Sequence, residues 1–463
     1  MPKIGSHEVP ARTLLLAAVD ITVLVSPLLV AVLLHNHLES LDNLSDSGLW
    51  VRISLVTSVC LVAMYFHDLY DFHVVRRRAE LIVRLMQAFG IAGLILSFLY
   101  FLFPGSSLGR GIVLTAGPLV FILLLSWRLS ANAANLLARG DERVLIVGTG
   151  EAGIALVRQI LVHPEYNMKV LGFLHELGQD IGKSLVNPGI IGATADVEEI
   201  VKNEKIDRVV LALKERRGGT PVRQLLHLKF AGVRVEEVHS CVERLSGRVT
   251  LEHLSPSWLI LSDGFKKSPW LLAGKRILDI LVSTILLTLS APMLPLVAIA
   301  IYIESGRPIL FRQTRVGYKG KEYELIKFRS MIQDAEKNGP QWAKKKDSRV
   351  TRVGKFIRKT RLDELPQLFN VLRGEMSLVG PRPERPVFCQ LLEEKIPYFN
   401  LRHSVRPGLT GWAQVRFRYS ANLDDYKDKL ELDLFYLKNL SLMVDLAILF
   451  ETVKVVLLRR GAH

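Results

Sequence analysis

Four long apolar stretches lie near the start of this chain, and they constrain its fold more than any other feature of the sequence. A helix that crosses a bilayer needs about 20 predominantly apolar residues. The first, third and fourth stretches meet this length, whereas the second is short unless Trp50 and Tyr65 act as interfacial anchors. The stretches are Leu14–Leu34, Ile53–Phe66, Leu81–Phe103 and Gly111–Leu129. The sequence therefore predicts a four-helix transmembrane bundle over residues 1–139.

The charges between these stretches predict the orientation of the bundle. Basic residues precede the first stretch, the loop at 35–50 contains acidic residues but no Lys or Arg, and three arginines follow the second stretch. The positive-inside rule then puts both ends of the bundle in the cytoplasm. Arg84 and Arg128 fall near cytoplasmic ends, where long side chains are expected to reach the interface. Asp20 is the only acidic residue within a span, which favours a bundle that serves as an anchor.

Composition excludes several classes of protein. A chain of 463 residues is long enough for about three domains, and its 49% hydrophobic content excludes general disorder. Its 23% charged residues and net charge of +15 are unusual for a transporter that consists only of membrane helices. The combination favours a membrane protein with substantial cytoplasmic domains. Cys60, Cys241 and Cys389 are far apart, so they predict neither a disulfide framework nor a zinc site.

A glycine-rich turn begins a second predicted domain, over residues 140–240. Val144–Val147 predicts a strand, and Gly148, Gly150 and Gly153 form the pattern Gly-x-Gly-x-x-Gly before an amphipathic stretch. In the dinucleotide-binding fingerprint such glycines let the backbone approach a pyrophosphate at a helix N-terminus. Further strands are predicted at 169–174, 208–213 and 233–238, and helices at 194–203 and 221–230. The alternation predicts a Rossmann-like α/β domain with a parallel sheet.

The fold of this domain is better specified than its ligand, because one fold serves many functions. Glu176 is the candidate for a ribose-binding acid, and binding of a nucleotide is left open. Hydride transfer by a reductase or epimerase of the short-chain type would require a Tyr-x-x-x-Lys pair. Tyr323 and Lys327 have this spacing. They lie in an alternating run that predicts a strand, on which residues four apart are well separated. We therefore expect an ordinary strand there.

A fifth apolar segment, residues 277–303, opens the predicted catalytic domain at 275–463, after a linker at 241–274. Pro292 and Pro295 interrupt its middle, where they remove backbone donors. Basic residues flank both of its ends, so the positive-inside rule keeps both ends cytoplasmic. We predict a re-entrant membrane helix, with Ser290 satisfying carbonyls at the bend and Asp279 near basic partners. An ordinary fifth span is the alternative.

Most of the positive charge follows this segment, in clusters with glycine and proline. The clusters are Arg312–Gly317, Lys327–Met331, Val379–Pro383 and Arg406–Trp412. Rigid turns that hold guanidinium groups suit phosphate recognition, and simple adhesion to an anionic leaflet is the alternative. Nucleic acid is the generic partner of a basic chain, but charge beside a membrane helix favours a phosphate at the membrane surface instead.

An acidic pair, Asp363 and Glu364, stands among these basic residues. Pro366 suits the first turn of a helix, so the pair is predicted at a helix N-terminus. One carboxylate would attack phosphorus while the other holds Mg²⁺. On residue types alone, a role of the pair in helix capping is equally consistent with the sequence.

Together these ordered motifs resemble the bacterial sugar transferases, the monotopic phosphoglycosyl transferases. The resemblance is dense from Lys275 to about Arg460, and the larger members of the family, the polyprenyl-phosphate hexose-1-phosphate transferases, also resemble the first two predicted domains. One departure lies at the bend, where many members have Ser-Pro and this chain has Ala291-Pro292.

The resemblance implies a reaction and roles for particular residues. Asp363 resembles the nucleophile that attacks a UDP-sugar, releases UMP and forms a phosphosugar–aspartyl intermediate, which undecaprenyl phosphate then attacks. Glu364 resembles the Mg²⁺-binding partner. Arg382 and Pro383 resemble the segment that contacts substrate. Further phosphate contacts are expected from Lys327, Arg329 and Arg315.

The family also implies a setting. We expect a multi-pass protein of the bacterial inner membrane, with its catalytic domain on the cytoplasmic face, that primes exopolysaccharide or capsule synthesis, glucose being the favoured sugar. A homodimer is left open, because no motif specifies an interface. An NAD-dependent nucleotide-sugar oxidoreductase or epimerase and a non-catalytic assembly scaffold are the alternatives. The final segment, 440–458, is expected either to lie on the membrane or to form a core helix.

Overall fold

The structure is a computed structural model. It describes residues 3–4, 7–8, 11–35, 47–67, 69–70, 78–133, 142–163, 166, 168–176, 178, 180–213, 221–251, 264–265, 267–333, 335, 347–417 and 423–457. Much of the predicted linker and most of the charged loops of the bundle therefore lie outside the described residues. The chain divides into two compact units, and the division falls between Val238 and His239.

The first unit begins with four apolar helices. They are α1 (Ala11–His35), α2 (Ser47–Phe66), α3 (Arg78–Leu102) and α4 (Arg110–Ala133). Each is long and apolar enough to cross a membrane, including α2, which extends further towards its N-terminus than the apolar run suggested. Outward-facing side chains such as Leu94, Phe101 and Leu114 are exposed, and apolar residues on every face are typical of membrane helices.

An ion pair lies inside this bundle. Nη2 of Arg128 donates to Oδ2 of Asp20 at 2.5 Å, and both side chains are fully buried. The same guanidinium donates to the carbonyl of Leu69 and lies 5.2 Å from the ring centre of Tyr70. The expectation that Arg128 reaches the membrane interface is therefore wrong. A buried charge requires a partner, and Asp20 supplies it from α1, which ties α1 to α4.

A five-stranded sheet follows the bundle. Its strands are β1 (Glu142–Val147), β2 (Met168–His175), β3 (Ile190–Ala193), β4 (Arg208–Leu211) and β5 (Arg234–Glu237). The order is β3-β2-β1-β4-β5 and every pairing is parallel, as in doubly wound sheets. Three helices connect the strands: α5 (Glu151–Val162), α6 (Val197–Asn203) and α7 (Val222–Phe230). The predicted parallel α/β domain is confirmed. Strand β3 was not predicted, because it is four residues long and contains Gly192.

The second unit combines helices with two small sheets. Its elements are α8 (Val238–Ser246, which starts at the division), α9 (Pro269–Ser290), α10 (Met293–Ser305), β6 (Leu310–Val316), β7 (Glu322–Phe328), α11 (Arg352–Lys359), α12 (Gln367–Arg373), β8 (Ser377–Val379), α13 (Pro386–Lys395), β9 (Gly408–Thr410), α14 (Trp412–Arg416), α15 (Leu423–Lys438) and α16 (Leu442–Leu457). Strands β6 and β7 pair antiparallel, and β8 and β9 pair parallel. A core that includes Leu368, Met376 and Phe435 lies between the helices and sheets.

Helices α9 and α10 form one apolar pair with a bend of 62° between them. The bend falls at Ala291 and Pro292, and a proline removes a backbone donor and clashes with the preceding turn. Ser290, which was expected to satisfy a carbonyl there, donates from Oγ to the carbonyl of Leu286 at 2.7 Å. The helix begins at Pro269, before the predicted start of the catalytic domain.

Polar side chains fasten the first helix of this pair to the core of the second unit. Lys275 donates from Nζ to Asp445 at 2.8 Å, to the carbonyl of Val379 at 2.8 Å and to the hydroxyl of Tyr436 at 3.1 Å. All four groups are buried. The ammonium is thus fully partnered where it leaves water, as a buried charge requires.

Two neighbouring residues extend this attachment. Arg276 donates to the carbonyls of Val371 and Leu372 at 2.6 and 2.7 Å, in the last turn of α12. Asp279 accepts hydrogen bonds from Oγ of Ser377 and the backbone N–H of Leu378, at 3.0 and 2.9 Å. Both described partners of Asp279 are neutral donors on one carboxylate oxygen, and basic partners for it stay a prediction.

The final helix, α16, combines both of the environments expected for it. Val444 and Ile448 face the core and are buried, whereas Met443, Phe450 and Val453 are exposed on the other side. One face of α16 therefore packs in the core of the second unit, and the other face is an exposed apolar surface.

Replacement of Arg128 by methionine is expected to destabilise the bundle. The carboxylate of Asp20 would stay buried without its partner, at a cost of about 3–5 kcal/mol. Thermal unfolding of the full chain in detergent measures the change. The double variant Asp20→Asn/Arg128→Met removes both charges and should recover much of the loss, and Arg158→Met, at an exposed position on α5, is the control. A double variant no more stable than the single one would contradict the prediction.

Candidate active site

The acidic pair lies in a short 3-10 turn, Leu362–Glu364, directly before α12. Arg361 opens the turn with φ of 59°, and Pro366 precedes the first residue of the helix. The pair thus lies where the sequence predicted a helix N-terminus. Neither carboxylate caps the helix in the described hydrogen bonds, so the alternative role in capping has no support there.

Asp363 is buried and incompletely partnered. It is 7% exposed, and its Oδ1 has no hydrogen-bond partner among the described residues. Burial and the neighbouring Glu364 raise the pKa of Asp363 to about 6, although Lys327, Arg358 and Arg361 favour its ionised form. A buried carboxylate with an unpartnered oxygen and a raised pKa, surrounded by basic side chains, makes Asp363 a candidate functional group. Near neutral pH this carboxylate is ionised and more basic than an ordinary aspartate.

Glu364 is held by arginines. Arg382 donates from Nη2 to Oε1 of Glu364 at 2.9 Å, and Nη1 of Arg361 lies 3.7 Å from the same oxygen. Burial alone would raise the pKa of Glu364, but Arg382 and Arg361 outweigh it and hold that pKa below its ordinary value. The two adjacent carboxylates are therefore driven apart in pKa, which is how neighbouring acids acquire different roles.

Lys327 reaches this site from β7. Its Nζ lies 5.0 Å from the ring centre of Phe311. Burial and, to a smaller extent, Arg315 lower the pKa of Lys327 to about 8, and Asp363 opposes the shift. Tyr323 lies on the same strand, in agreement with the expectation of an ordinary strand at this Tyr-x-x-x-Lys sequence.

Asn370 connects α12 to that strand. Its Oδ1 accepts from the backbone N–H of Ile326 at 3.1 Å, and its Nδ2 donates to the carbonyl of Glu324 at 2.8 Å. Because Asn370 is fully buried, this contact fixes the strand that carries Lys327 beside the helix that follows the acidic pair.

Arg315 and Pro383 meet behind the acidic pair. Nη1 of Arg315 donates to the carbonyl of Pro383 at 2.9 Å, and it lies 3.6 Å from the carboxylate of Glu384. These contacts place Arg315 as a support of the segment after β8. Within that segment Arg382 is the residue whose side chain contacts the acidic pair.

The structure places Arg329 at the end of the bent helix pair. Its Nη2 donates to the carbonyl and hydroxyl of Ser305 at 2.7 and 2.9 Å, and to the carbonyl of Gly306 at 2.6 Å. These bonds satisfy C-terminal carbonyls of α10. The described contacts of Arg329 are those of a helix cap, and its role as a phosphate contact stays a prediction.

Two arginines that no sequence motif marked act on Asp363. Arg358 lies in the last turn of the basic helix α11, where its Nε donates to Oγ of Ser330 at 2.8 Å, and Arg361 follows in the turn. Both favour the ionised form of Asp363. Their positions, five and two residues before Asp363, offered a signal, because a short basic helix leads directly into the acidic turn.

The three glycines of the α/β domain allow a close packing contact. A Cβ atom would lie 2.7 Å from the carbonyl oxygen of Ala212 at Gly148, and 2.9 Å from it at Gly150. At Gly153 it would lie 2.8 Å from Cβ of Ala212. The turn therefore needs glycine against the end of β4, and Glu176 directly follows β2 as expected. Binding of a nucleotide by these glycines stays a prediction.

Asp363→Asn is expected to stabilise the protein at neutral pH. Since folding raises the pKa of Asp363 from 3.8 to about 6, ionisation disfavours the folded state above about pH 6. Asparagine removes this penalty of about 2–3 kcal/mol. The gain in the unfolding midpoint should be full at pH 7.5 and vanish below about pH 3, where the acid is neutral in both states. Asp428→Asn, at an exposed position on α15, is the control. An equal gain at both pH values would contradict the prediction.

Two family models match parts of this chain. Residues 270–459 match the family model of the bacterial sugar transferases, and residues 65–230 match a model described as a CoA-binding domain. The first of these matches contains the bent helix pair, the acidic pair and the segment of Arg382.

Several relatives share long parts of the chain. An Aeromonas hydrophila UDP-N-acetylgalactosamine-undecaprenyl-phosphate N-acetylgalactosaminephosphotransferase is 42% identical over 56% of this chain and 61% of its own length. A Komagataeibacter xylinus undecaprenyl-phosphate glucose phosphotransferase is 34% identical over 69% of this chain and 60% of its own length. A Xanthomonas campestris UDP-glucose:undecaprenyl-phosphate glucose-1-phosphate transferase is 31% identical, over 70% and 68%. The chain thus spans about three fifths of the first two relatives. Its motifs, its active-site geometry and these matches together establish that the chain belongs to the bacterial sugar transferase family.

Proposed function

We propose that this chain is a phosphoglycosyl transferase, which moves a hexose 1-phosphate from a UDP-sugar to undecaprenyl phosphate and releases UMP. The main observation that supports this proposal is the buried, incompletely partnered carboxylate of Asp363 within a group of basic side chains. Phosphoryl transfer requires a nucleophile and positive charge placed where negative charge develops. The relatives are named for transfer of sugar phosphates to undecaprenyl phosphate, which supports this substrate class.

The proposed reaction has two displacements at the same phosphorus. A carboxylate oxygen of Asp363 attacks the sugar-bearing phosphorus, and the bond from that phosphorus to the bridging oxygen breaks, so that UMP leaves with the electron pair. The product is a phosphosugar–aspartyl anhydride. A phosphate oxygen of undecaprenyl phosphate then attacks the phosphorus and regenerates the carboxylate. The raised pKa of Asp363 supports its role as nucleophile, because a more basic carboxylate donates its electron pair more readily.

Basic side chains would stabilise the charge of the diphosphate. Lys327 faces the acidic pair from β7, and Arg382 contacts it from the segment after β8. We propose both as phosphate contacts, with Arg358 and Arg361 adding to the local positive potential. Arg315 and Pro383 would act by supporting the segment that carries Arg382.

The residues present fit Mg²⁺ that is shared with the substrate. Mg²⁺ is usually held by one or two carboxylates together with substrate phosphates and water. Both described arginine contacts of Glu364 fall on Oε1, so Oε2 is the oxygen proposed to hold the ion. Mg²⁺ bound there would offset the negative charge of the diphosphate.

We further propose that the bent helix pair is re-entrant and that the enzyme works at the cytoplasmic face of the bacterial inner membrane. Both ends of the pair contact the same unit. Lys275 and Asp279 contact its core at the first end. At the other end, Glu304 accepts from the backbone N–H groups of Arg352 and Val353 at 2.7 and 3.0 Å. A segment with both ends on one polar unit enters and leaves the bilayer on the same side, which argues against a fifth span. The helices α1 to α4 would span the membrane.

The transferred sugar and the biological use of the product are further parts of this proposal. We propose glucose as the transferred sugar and priming of an exopolysaccharide or capsule as the use, with the bilayer as the source of the lipid phosphate. The oxidoreductase alternative is not favoured by any described contact, since Tyr323 and Lys327 share an ordinary strand.

Asp363→Asn is expected to abolish UMP release while the protein stays folded. Purified full chain is assayed with Mg²⁺, undecaprenyl phosphate and a panel of UDP-sugars, of which UDP-glucose should turn over fastest. Without the lipid phosphate, denatured wild-type protein should carry a phosphosugar mass on the peptide with Asp363. Asp428→Asn should keep full turnover. UMP release by the Asn variant within tenfold of wild type would remove Asp363 as nucleophile.

The pH dependence should report both Asp363 and Lys327. The profile of kcat/KM for the UDP-sugar is expected to fall below about pH 6, as Asp363 becomes protonated, and above about pH 8, as Lys327 loses its proton. Lys327→Arg keeps the charge at higher pH and should move only the alkaline limb upwards. An unchanged alkaline limb in this variant would show that Lys327 is not the titrating group.

A further inference from the structure

A buried ion pair lies beneath the segment that carries Arg382. Nη2 of Arg402 donates to Oδ2 of Asp433 at 2.9 Å and to the backbone carbonyl of Arg382 at 2.9 Å. The side chains of Arg402 and Asp433 are 4% and 3% exposed. Arg402 belongs to a 3-10 turn, Phe399–Ser404, and Asp433 to α15. None of the roles assigned above to substrate binding or chemistry uses either residue.

The carbonyls of this segment are held at almost every position. Lys275 donates to the carbonyl of Val379, and the N–H of Gly408 donates to that of Pro381. The carbonyl of Arg382 accepts from Arg402, that of Pro383 from Arg315, and that of Glu384 from the N–H of Val316. Such continuous hydrogen bonding fixes a backbone that has no helix or strand of its own. Arg402 donates to the carbonyl of Arg382, and the side chain of Arg382 contacts Glu364.

The need for such a support follows from the side chain of Arg382. It is 44% exposed, and a long exposed arginine loses much rotamer freedom when it is held in one position. A fixed backbone reduces that entropic cost by directing the side chain towards its partner, and displacement of about 1 Å is enough to impair catalysis.

Burial of Arg402 in turn requires Asp433. An isolated guanidinium is strongly disfavoured in a dry interior, and a hydrogen-bonded carboxylate compensates for its lost hydration. The ring centre of Phe399 also lies 4.9 Å from the guanidinium carbon of Arg402.

We infer that Arg402 and Asp433 are positioning residues, which fix the backbone at Arg382 so that its guanidinium meets Glu364. The inference rests on the proposed function for its catalytic consequence, but the backbone contact itself is independent of activity. Arg402 and Asp433 touch neither acidic residue, so they act through Arg382 alone.

The test compares two double variants of the full chain. Arg402→Gln/Asp433→Asn removes both charges and leaves no lone buried ion. Arg248→Gln/Asp428→Asn is the matched control, because this pair joins the same helix α15 at 3.5 Å and its side chains are 35% and 44% exposed. Hydrogen exchange by mass spectrometry follows the peptide that covers residues 379–385. UMP release gives kcat/KM as a function of pH.

The first double variant is expected to exchange about tenfold faster at 379–385 than wild type, with the core helices unchanged, and to lose about tenfold in kcat/KM. The control should match wild type in every measurement.

Unchanged exchange at 379–385, or an acceleration spread over the whole second unit, would overturn the inference whether or not the protein is active. Faster exchange at 379–385 with an unchanged kcat/KM would also overturn it, because the backbone of the segment would then not position the site. Absence of UMP release from the wild type with every UDP-sugar would instead refute the proposed function, and the exchange result would still decide whether Arg402 holds the segment.

Discussion

The second unit depends on one buried ammonium group. Lys275, near the start of the bent apolar helix, donates to Asp445, to the carbonyl of Val379 and to the hydroxyl of Tyr436. A charge this deep is tolerated only when its hydrogen bonds are satisfied, so the three partners must keep their places. The contacts bring α9, β8, α15 and α16 to one point. The interaction therefore couples an apolar helix to the segment that leads towards Arg382.

From this point, polar contacts continue to the acidic pair. Arg276 binds the last carbonyls of α12, and Asn370 within that helix binds the strand of Lys327. The acidic turn lies at the opposite end of α12, so the apolar helix and the proposed nucleophile are joined through one short helix. Such rigid support would suit the proposed reaction, in which a soluble nucleotide sugar and a lipid phosphate would have to meet at a fixed height above the bilayer.

Much of the fold could be predicted from local patterns. Apolar runs of sufficient length predicted the four helices of the bundle, and glycines after a β-branched run predicted the parallel α/β domain. The candidate site was found through the acidic pair and its basic surroundings. No local pattern marked Arg358. The position of Arg128 near the end of an apolar run predicted the membrane interface, whereas Arg128 pairs with Asp20 on a helix far away in the sequence. Strand β3 was missed because four residues that include a glycine carry little periodic signal.

The amino-acid sequence by itself determined which segments are apolar, where prolines interrupt them and where charge accumulates, because these properties depend on residue type and short spacing. The tertiary structure alone decided which charges meet. Burial raises the pKa of Asp363 while Arg382 lowers that of its neighbour Glu364, although the two acids are adjacent and chemically similar. Likewise, Arg329 binds a helix end and Arg382 binds the acidic pair, although both come from basic clusters of the same kind. Electrostatic roles depend on distance and dielectric environment, and only the folded chain defines these for residues far apart in sequence.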